Sequence, residues 1–95
     1  MTDKSQFVNV TFAASLQRHI PCAPQNVAPA SLREVLKAAL LAAPDLSHYM
    51  FDDQANIRKH VAVFINSNML RNRADLTQNL QAGDKVLVVQ ALTGG

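Results

Sequence analysis

The segment that most constrains this chain is its end, Gly83 to Gly95, reading GDKVLVVQALTGG. A turn dipeptide, Gly83-Asp84, leads into the β-branched apolar run Val86-Leu87-Val88-Val89, after which only Gln90, Ala91, Leu92, Thr93 and two glycines remain. Such a run needs a sheet to hold it, whereas a Gly-Gly end resists ordering. An anchored strand followed by a thin tail suits a terminus presented to another protein. Lacking Cβ atoms, Gly94 and Gly95 can pass a channel too narrow for side chains, which makes the α-carboxylate of Gly95 the candidate reactive group. The competing reading is a frayed end, since disorder concentrates at termini.

The 95 residues suffice for one domain and one core. Apolar residues make up 48% and charged residues 17%, a globular composition. No run reaches the roughly 18 to 20 apolar residues of a membrane span, and Met1 to Gln6 opens no signal-peptide core. The expectation is a cytoplasmic protein with no membrane partner.

A single cysteine, Cys22, excludes an internal disulfide and a multi-cysteine zinc site, and reads as a small half-buried apolar residue. His19, His48 and His60 share no ligand spacing and are expected at the surface. Asp52-Asp53 reads as a solvated turn, because hard-cation sites draw on more oxygen ligands at set spacing. No metal site is expected. The net charge of +2 and the scarcity of aromatics argue against nucleic acid, although Arg58-Lys59-His60 and Arg71-Asn72-Arg73 are locally basic. These clusters read as a solvated loop face or, second, as a docking surface for an acidic partner. There is no nucleophile elbow and no paired-carboxylate arrangement, and three glycines are too few for a phosphate cradle. No catalytic residue is assigned, an enzyme is not expected, and any ATP chemistry falls to a partner.

In chain order, Phe7 to Phe12 alternates with period two, placing Val8, Val10 and Phe12 on one face and Phe7, Asn9 and Thr11 on the other. Ala13 to Gln17 is expected as a turn and Arg18 to Ala28 as an irregular edge strand, since Pro21 and Pro24 each remove a ladder donor. Ser31-Leu32-Arg33-Glu34 is a capping box. It opens a helix with an apolar stripe of Leu32, Val35, Leu36, Ala39, Leu40 and Ala43, which Pro44 should stop. Asp45 to Lys59 is expected as a long connection. His60 to Asn66 reads as a strand, Asn66-Ser67-Asn68 as a tight turn, and Met69 to Arg73 as the return strand. Leu76 and Leu80 should tuck under the sheet, and the last strand should lie centrally beside the first.

This order resembles the ubiquitin-like β-grasp fold, and within it the bacterial sulfur-carrier family that includes the molybdopterin synthase small subunit, the thiamine sulfur carrier and the carriers of cysteine and thioquinolobactin-type siderophore pathways. The likeness runs from Phe7 to Gly95 and rests on Val61-Ala62-Val63-Phe64-Ile65-Asn66, on Leu80-Gln81-Ala82-Gly83-Asp84-Lys85-Val86, and on Gly94-Gly95. Family members often carry Asn-Gly where this chain has Asn66-Ser67. The long Asp45 to Lys59 segment resembles the longer carriers, including those of cysteine synthesis, more than the thiamine carrier.

The resemblance implies an α+β fold, a mixed sheet of four to five strands with one main helix on one face, forming a single domain over residues 1–91 with a flexible tail over 92–95. It also implies that Gly95 is adenylated by a ubiquitin-activating-like partner and converted by a sulfur donor to a thiocarboxylate. An acceptor enzyme, such as the molybdopterin synthase large subunit or a cysteine-synthase-like enzyme, would take the sulfur. Ala91, Leu92, Thr93 and Gly94 would form the arm entering the partner. Docking would use Phe7 and one side of the last strand. Leu87 and Val89 are the candidates, although period two alone leaves Val86 and Val88 as the other possible set. The alternatives are a ubiquitin-like modifier joined to lysines through Gly95, and a β-grasp interaction module with an inert tail.

Overall fold

The computed structural model describes residues 6–17 and 21–90. Along the chain come β1 (Val8–Phe12), α1 (Ala14–Gln17), β2 (Gln25–Val27), α2 (Leu32–Leu40), α3 (Pro44–Met50), β3 (Val61–Ile65), β4 (Asn68–Met69) and β5 (Lys85–Gln90). The strands form one mixed sheet in the order β2-β1-β5-β3-β4. Only β1 and β5 run parallel; the other neighbours are antiparallel. This is an α+β architecture with β5 in the centre, where its apolar run is paired on both edges. None of the helices among the described residues is long and apolar enough to cross a membrane.

Alternation decides what faces the core. Val8, Val10 and Phe12 of β1, Val61 and Val63 of β3, and Val86 and Val88 of β5 are all buried under the helices. The stripe of α2 fits the same space, with Leu32, Val35, Leu36, Ala39 and Leu40 buried. Its N-cap is as expected: Ser31 Oγ accepts a hydrogen bond from the Glu34 N–H at 3.2 Å. Leu76 and Leu80, on the loop before β5, are buried beneath the sheet as expected, and the Ala30 carbonyl accepts from the Leu80 N–H at 2.8 Å.

Several local expectations are corrected. The turn over Ala13 to Gln17 is a short helix that buries Leu16. Of the edge strand expected over Arg18 to Ala28, only Gln25–Val27 pairs, on the sheet's outer edge, because the prolines at 21 and 24 deprive the preceding backbone of donors. Residues 18–20 of that expectation lie outside the described residues.

Pro44 does not stop a helix. The α2 helix has already ended at Leu40, and Pro44 starts α3 at a position where a missing N–H costs nothing. The supposed connection from Asp45 therefore begins as a helix, with Leu46 and Met50 buried one turn apart. The expected return strand, Met69 to Arg73, shrinks to Asn68–Met69. The turn before it uses two residues, Asn66 at φ 50° and Ser67 at φ 74°, the left-handed pair that matches strand twist in a hairpin.

The rest of the 51–60 segment is held by polar groups. Asp52 Oδ1 accepts from the backbone N–H groups of Gln54 (2.9 Å) and Asn56 (3.0 Å), making the Asp52-Asp53 pair a turn. Arg58 Nε donates to the Phe51 carbonyl at 3.0 Å, and Arg73 donates to the carbonyls of Arg58, Lys59 and Val61 at 3.2, 3.1 and 3.2 Å. His48 is exposed, but His60 is half-buried against Tyr49, with ring centroids 4.6 Å apart and edge-on packing, so the surface expectation fails for His60. His19 lies outside the described residues.

At the start of β5 a single carboxylate joins three segments. Asp84 accepts from Asn66 Nδ2 (3.0 Å) and from the Gln81 N–H (2.7 Å), while Asn66 Oδ1 accepts from the Lys85 N–H at 2.9 Å. Gly83 precedes it at φ 94°, a conformation a side chain would strain, and donates its N–H to the Phe7 carbonyl at 3.0 Å.

The buried position of Leu46 predicts that Leu46→Ala lowers stability by about 2 to 5 kcal/mol in urea unfolding, where a connecting loop would show almost no loss. The hydrogen bonds from Gln81 and Asn66 hold the Asp84 carboxyl below the usual carboxylate range. A folded-state pKa below the unfolded one stabilises above the unfolded value, near 3.9, and that stabilisation is lost as pH falls through the folded one. Asp84→Asn is therefore expected to be less stable than the parent at pH 7, with the gap narrowing steadily below about pH 4 in acid-titrated melts.

Candidate docking face and tail root

The face of the sheet away from the helices is built by the residues that alternate with the core set. Register aligns Met69 with Phe64, Phe64 with Leu87 and Leu87 with Thr11, so four strands contribute one transverse row. The next row toward the end of β5 pairs Ala62 with Val89. Leu87 is 39% exposed and Met69 55%, while Phe64 and Val89 are half-buried. A shallow depression lies between Phe64, Asn66, Ser67, Lys85 and Leu87. The β1–β2 side is polar by contrast, with Asn9 Nδ2 donating to Asn26 Oδ1 at 3.2 Å and Thr11 Oγ1 donating to Asn9 Oδ1 at 2.7 Å. The open face is thus apolar over β5, β3 and β4 and polar over β1 and β2.

Of the two sets that alternation leaves open, Leu87 and Val89 are outside and Val86 and Val88 inside. Phe7 is not brought to them. It sits just before β1, half-buried beside Gly83, four residues below the Thr11 level that faces Leu87, or about 13 Å along the strand. Phe64 and Met69 are the face residues that sequence reasoning missed. The signal was present, since Ala62 and Phe64 alternate with Val61 and Val63, and a two-residue hairpin turn sets Met69 opposite Phe64.

The last described residue, Gln90, pairs with Val61. The described part of the chain therefore ends in the sheet centre, with the Arg58-Lys59-His60 turn to one side and α1 on the other, where the Ala13 N–H donates to the Val88 carbonyl at 2.8 Å. Ala91, Leu92, Thr93, Gly94 and Gly95, the arm and reactive terminus of the sequence reading, lie outside the described residues. The Cys22 thiol is buried and pushed up by desolvation, which leaves it a poor nucleophile. Among the described residues no three His, Cys, Asp or Glu side chains come together as a metal site.

A mixed sheet with parallel central strands and a helix across one face defines a small α+β protein of the ubiquitin-like β-grasp fold. Residues 18–95 match the model of the ThiS family, and the chain belongs to that family. No match was found among curated protein sequences. Among solved structures it is similar to the small archaeal modifier protein SAMP1 of Haloferax volcanii, with TM-score 0.75 and 22% identity over 94% of this chain and 99% of that one. It is also similar to SAMP1 of Methanosarcina acetivorans (TM-score 0.73, 20% identity, 94% and 96% covered). A chain of the BexX/CysO complex of Amycolatopsis orientalis aligns with TM-score 0.74 and 17% identity, covering 93% and 99%. At these identities the structures speak to the fold.

The assignment of faces predicts opposite outcomes for adjacent residues. Leu87→Lys should change stability by less than about 0.5 kcal/mol. Val88→Lys buries an unpaired ammonium and should leave little folded protein, as read by circular dichroism and soluble yield.

Proposed function

We propose that this protein carries sulfur as a thiocarboxylate on Gly95. The observation that carries the reading is a sheet-centred β5, with Leu87 and Val89 outward, followed five residues on in sequence by Gly95 of a Gly-Gly pair in a chain of the ThiS family. A carboxylate is a poor electrophile at neutral pH. A ubiquitin-activating-like partner would bind ATP, and a Gly95 carboxylate oxygen would attack the α-phosphorus, expelling pyrophosphate and leaving an acyl-adenylate. Hydrosulfide then attacks the acyl carbon, and AMP leaves with the oxygen. A persulfide donor would reach the same product through an acyl disulfide that a second thiol cleaves.

The chain thus acts as a co-substrate of its partners rather than as an enzyme. The sheet face of Phe64, Met69, Leu87 and Val89 docks, and residues 91–94 form the arm that places the sulfur at high effective concentration in the acceptor's pocket. Phe7, at the far end of the sheet, would contribute to docking only with a partner that spans that end. The acceptor is proposed to be cysteine-synthase-like rather than the thiamine pathway enzyme, with a molybdopterin synthase large subunit as the alternative. The support is the long segment after α2, here carrying α3, and the fold likeness to a chain of the BexX/CysO complex. The likeness to SAMP1 supports a second reading, in which the activated Gly95 is transferred to a lysine amine as an amide.

Mass spectrometry of the protein after incubation with ATP, its adenylating partner and sulfide tests the proposal. The expected result is a gain of about 16 Da on an alkylatable C-terminal peptide, distinguished by that mapping from oxidation of Met1, Met50 or Met69. Lysine adducts without the sulfur species would favour the modifier. Neither product, with a competent partner present, would leave a β-grasp binding module with an inert tail.

A further inference from the structure

Residues 57–74 hold Arg58, Lys59, Arg71 and Arg73, four of the nine Lys and Arg in the chain, and contain no Asp or Glu. The fold gathers what the sequence separates. Arg73 reaches the carbonyls of Arg58, Lys59 and Val61, which docks the 71–73 segment onto the Arg58-Lys59-His60 turn. Val61 is in turn the register partner of Gln90, the root of the tail. The 71–73 segment runs along the free edge of β3, two strand spacings or about 10 Å from that root. Arg71 and Arg73 line a shallow depression with Met69, Ala62 and Val61, so the basic group is continuous with the apolar docking face.

The bonds recorded for Arg58 and Arg73 run to neutral carbonyls, and Lys59 and Arg71 are exposed. Among the described residues no carboxylate pairs with any of the four. The nearest acid in the sequence, Asp75, has its carboxylate engaged by the Thr77 hydroxyl at 2.6 Å and the Thr77 N–H at 3.2 Å. An array of cations without internal carboxylate partners, beside residues 91–95, which span at most about 17 Å, will lie against the protein surface around whatever channel admits them.

We propose that Lys59, Arg71 and Arg73, backed by Arg58, form a basic collar that docks against an acidic rim around the tail channel of the adenylating partner. The collar rests on the carrier reading above and adds to it a charge requirement at the channel mouth. Charges at such a rim act over about 8 Å at physiological salt, and they steer encounter and orient the tail more than they tighten the final complex.

The test is ATP–pyrophosphate exchange catalysed by the ubiquitin-activating-like enzyme of the same host, measured against carrier concentration at several salt concentrations. The Lys59→Glu/Arg71→Glu variant alters two exposed side chains that make no hydrogen bond among the described residues, so folding is expected to survive, and its melting curve checks this. Relative to the parent, KM for the carrier should rise about tenfold, kcat should stay within about twofold, and the salt dependence should flatten. Lys59→Gln/Arg71→Gln should fall between the two. Lys37→Glu, a single charge reversal on the exposed side of α2, should leave KM as it was. Unchanged KM in the collar variants, or an equal rise with Lys37→Glu, overturns the collar while parental exchange upholds the adenylation that the carrier reading requires. If the parent chain supports no exchange at all, the carrier reading falls and the collar with it.

Discussion

The pairing of β5 between β1 and β3 is the interaction on which the rest depends. It joins an early and a late part of the chain through a parallel ladder, which no short turn can close, so the chain between them must cross over one face of the sheet. The α2 helix is the crossover cover that makes the pairing stable, since its stripe meets Val10, Val86 and Val88 on the inner face. Removing either side of that contact would expose the other.

The two ends of β5 are built for opposite purposes. At its start, Gly83 turns the chain and Asp84 and Asn66 exchange hydrogen bonds among the hairpin, the preceding loop and the strand, pinning the register. At its finish, Gln90, the last described residue, pairs with Val61 in the sheet centre. A one-residue slip would turn Leu87 and Val89 into the core and put Val86 and Val88 outside. Clamping one end therefore decides which side chains of β5 lie on the open face.

On the opposite flank, arginine does structural work without ion pairs. Arg33 donates to the Ala55 carbonyl at 2.9 Å, Arg58 to the carbonyls of His48 and Phe51, and Arg73 to three more. These carbonyls lie in turns, at the end of α3 or at the start of β3, and a planar guanidinium can serve several at once. Because carbonyls are neutral, the positive charge is not cancelled. The same residues can hold the 51–60 segment and remain cationic toward a partner.

Much was legible from local pattern. The period-two runs at Val8 to Phe12 and Val61 to Ile65, the capping box at Ser31 and the stripe of α2 all carry enough repeats to rise above chance. The short α3 helix did not, although Leu46, Tyr49 and Met50 stand at helical spacing, because seven residues give barely two turns and Pro44 opens a helix as readily as it ends one. β4 was overestimated because a strand's length is set by its neighbour, and Arg73 turns to bond the Arg58-Lys59 turn instead of extending the ladder.

By itself the sequence determined that Leu87 and Val89 form one set and Val86 and Val88 another, that a helix covers one face, and that the chain finishes on a strand and two glycines. Tertiary structure decided which set faces outward, that Phe64 and Met69 join it while Phe7 stands apart, and that two basic clusters separate in sequence meet beside the tail root. The physical reason is that alternation and periodicity are properties of neighbours along the chain, whereas facing and proximity are settled only when strands choose partners and a helix covers one side.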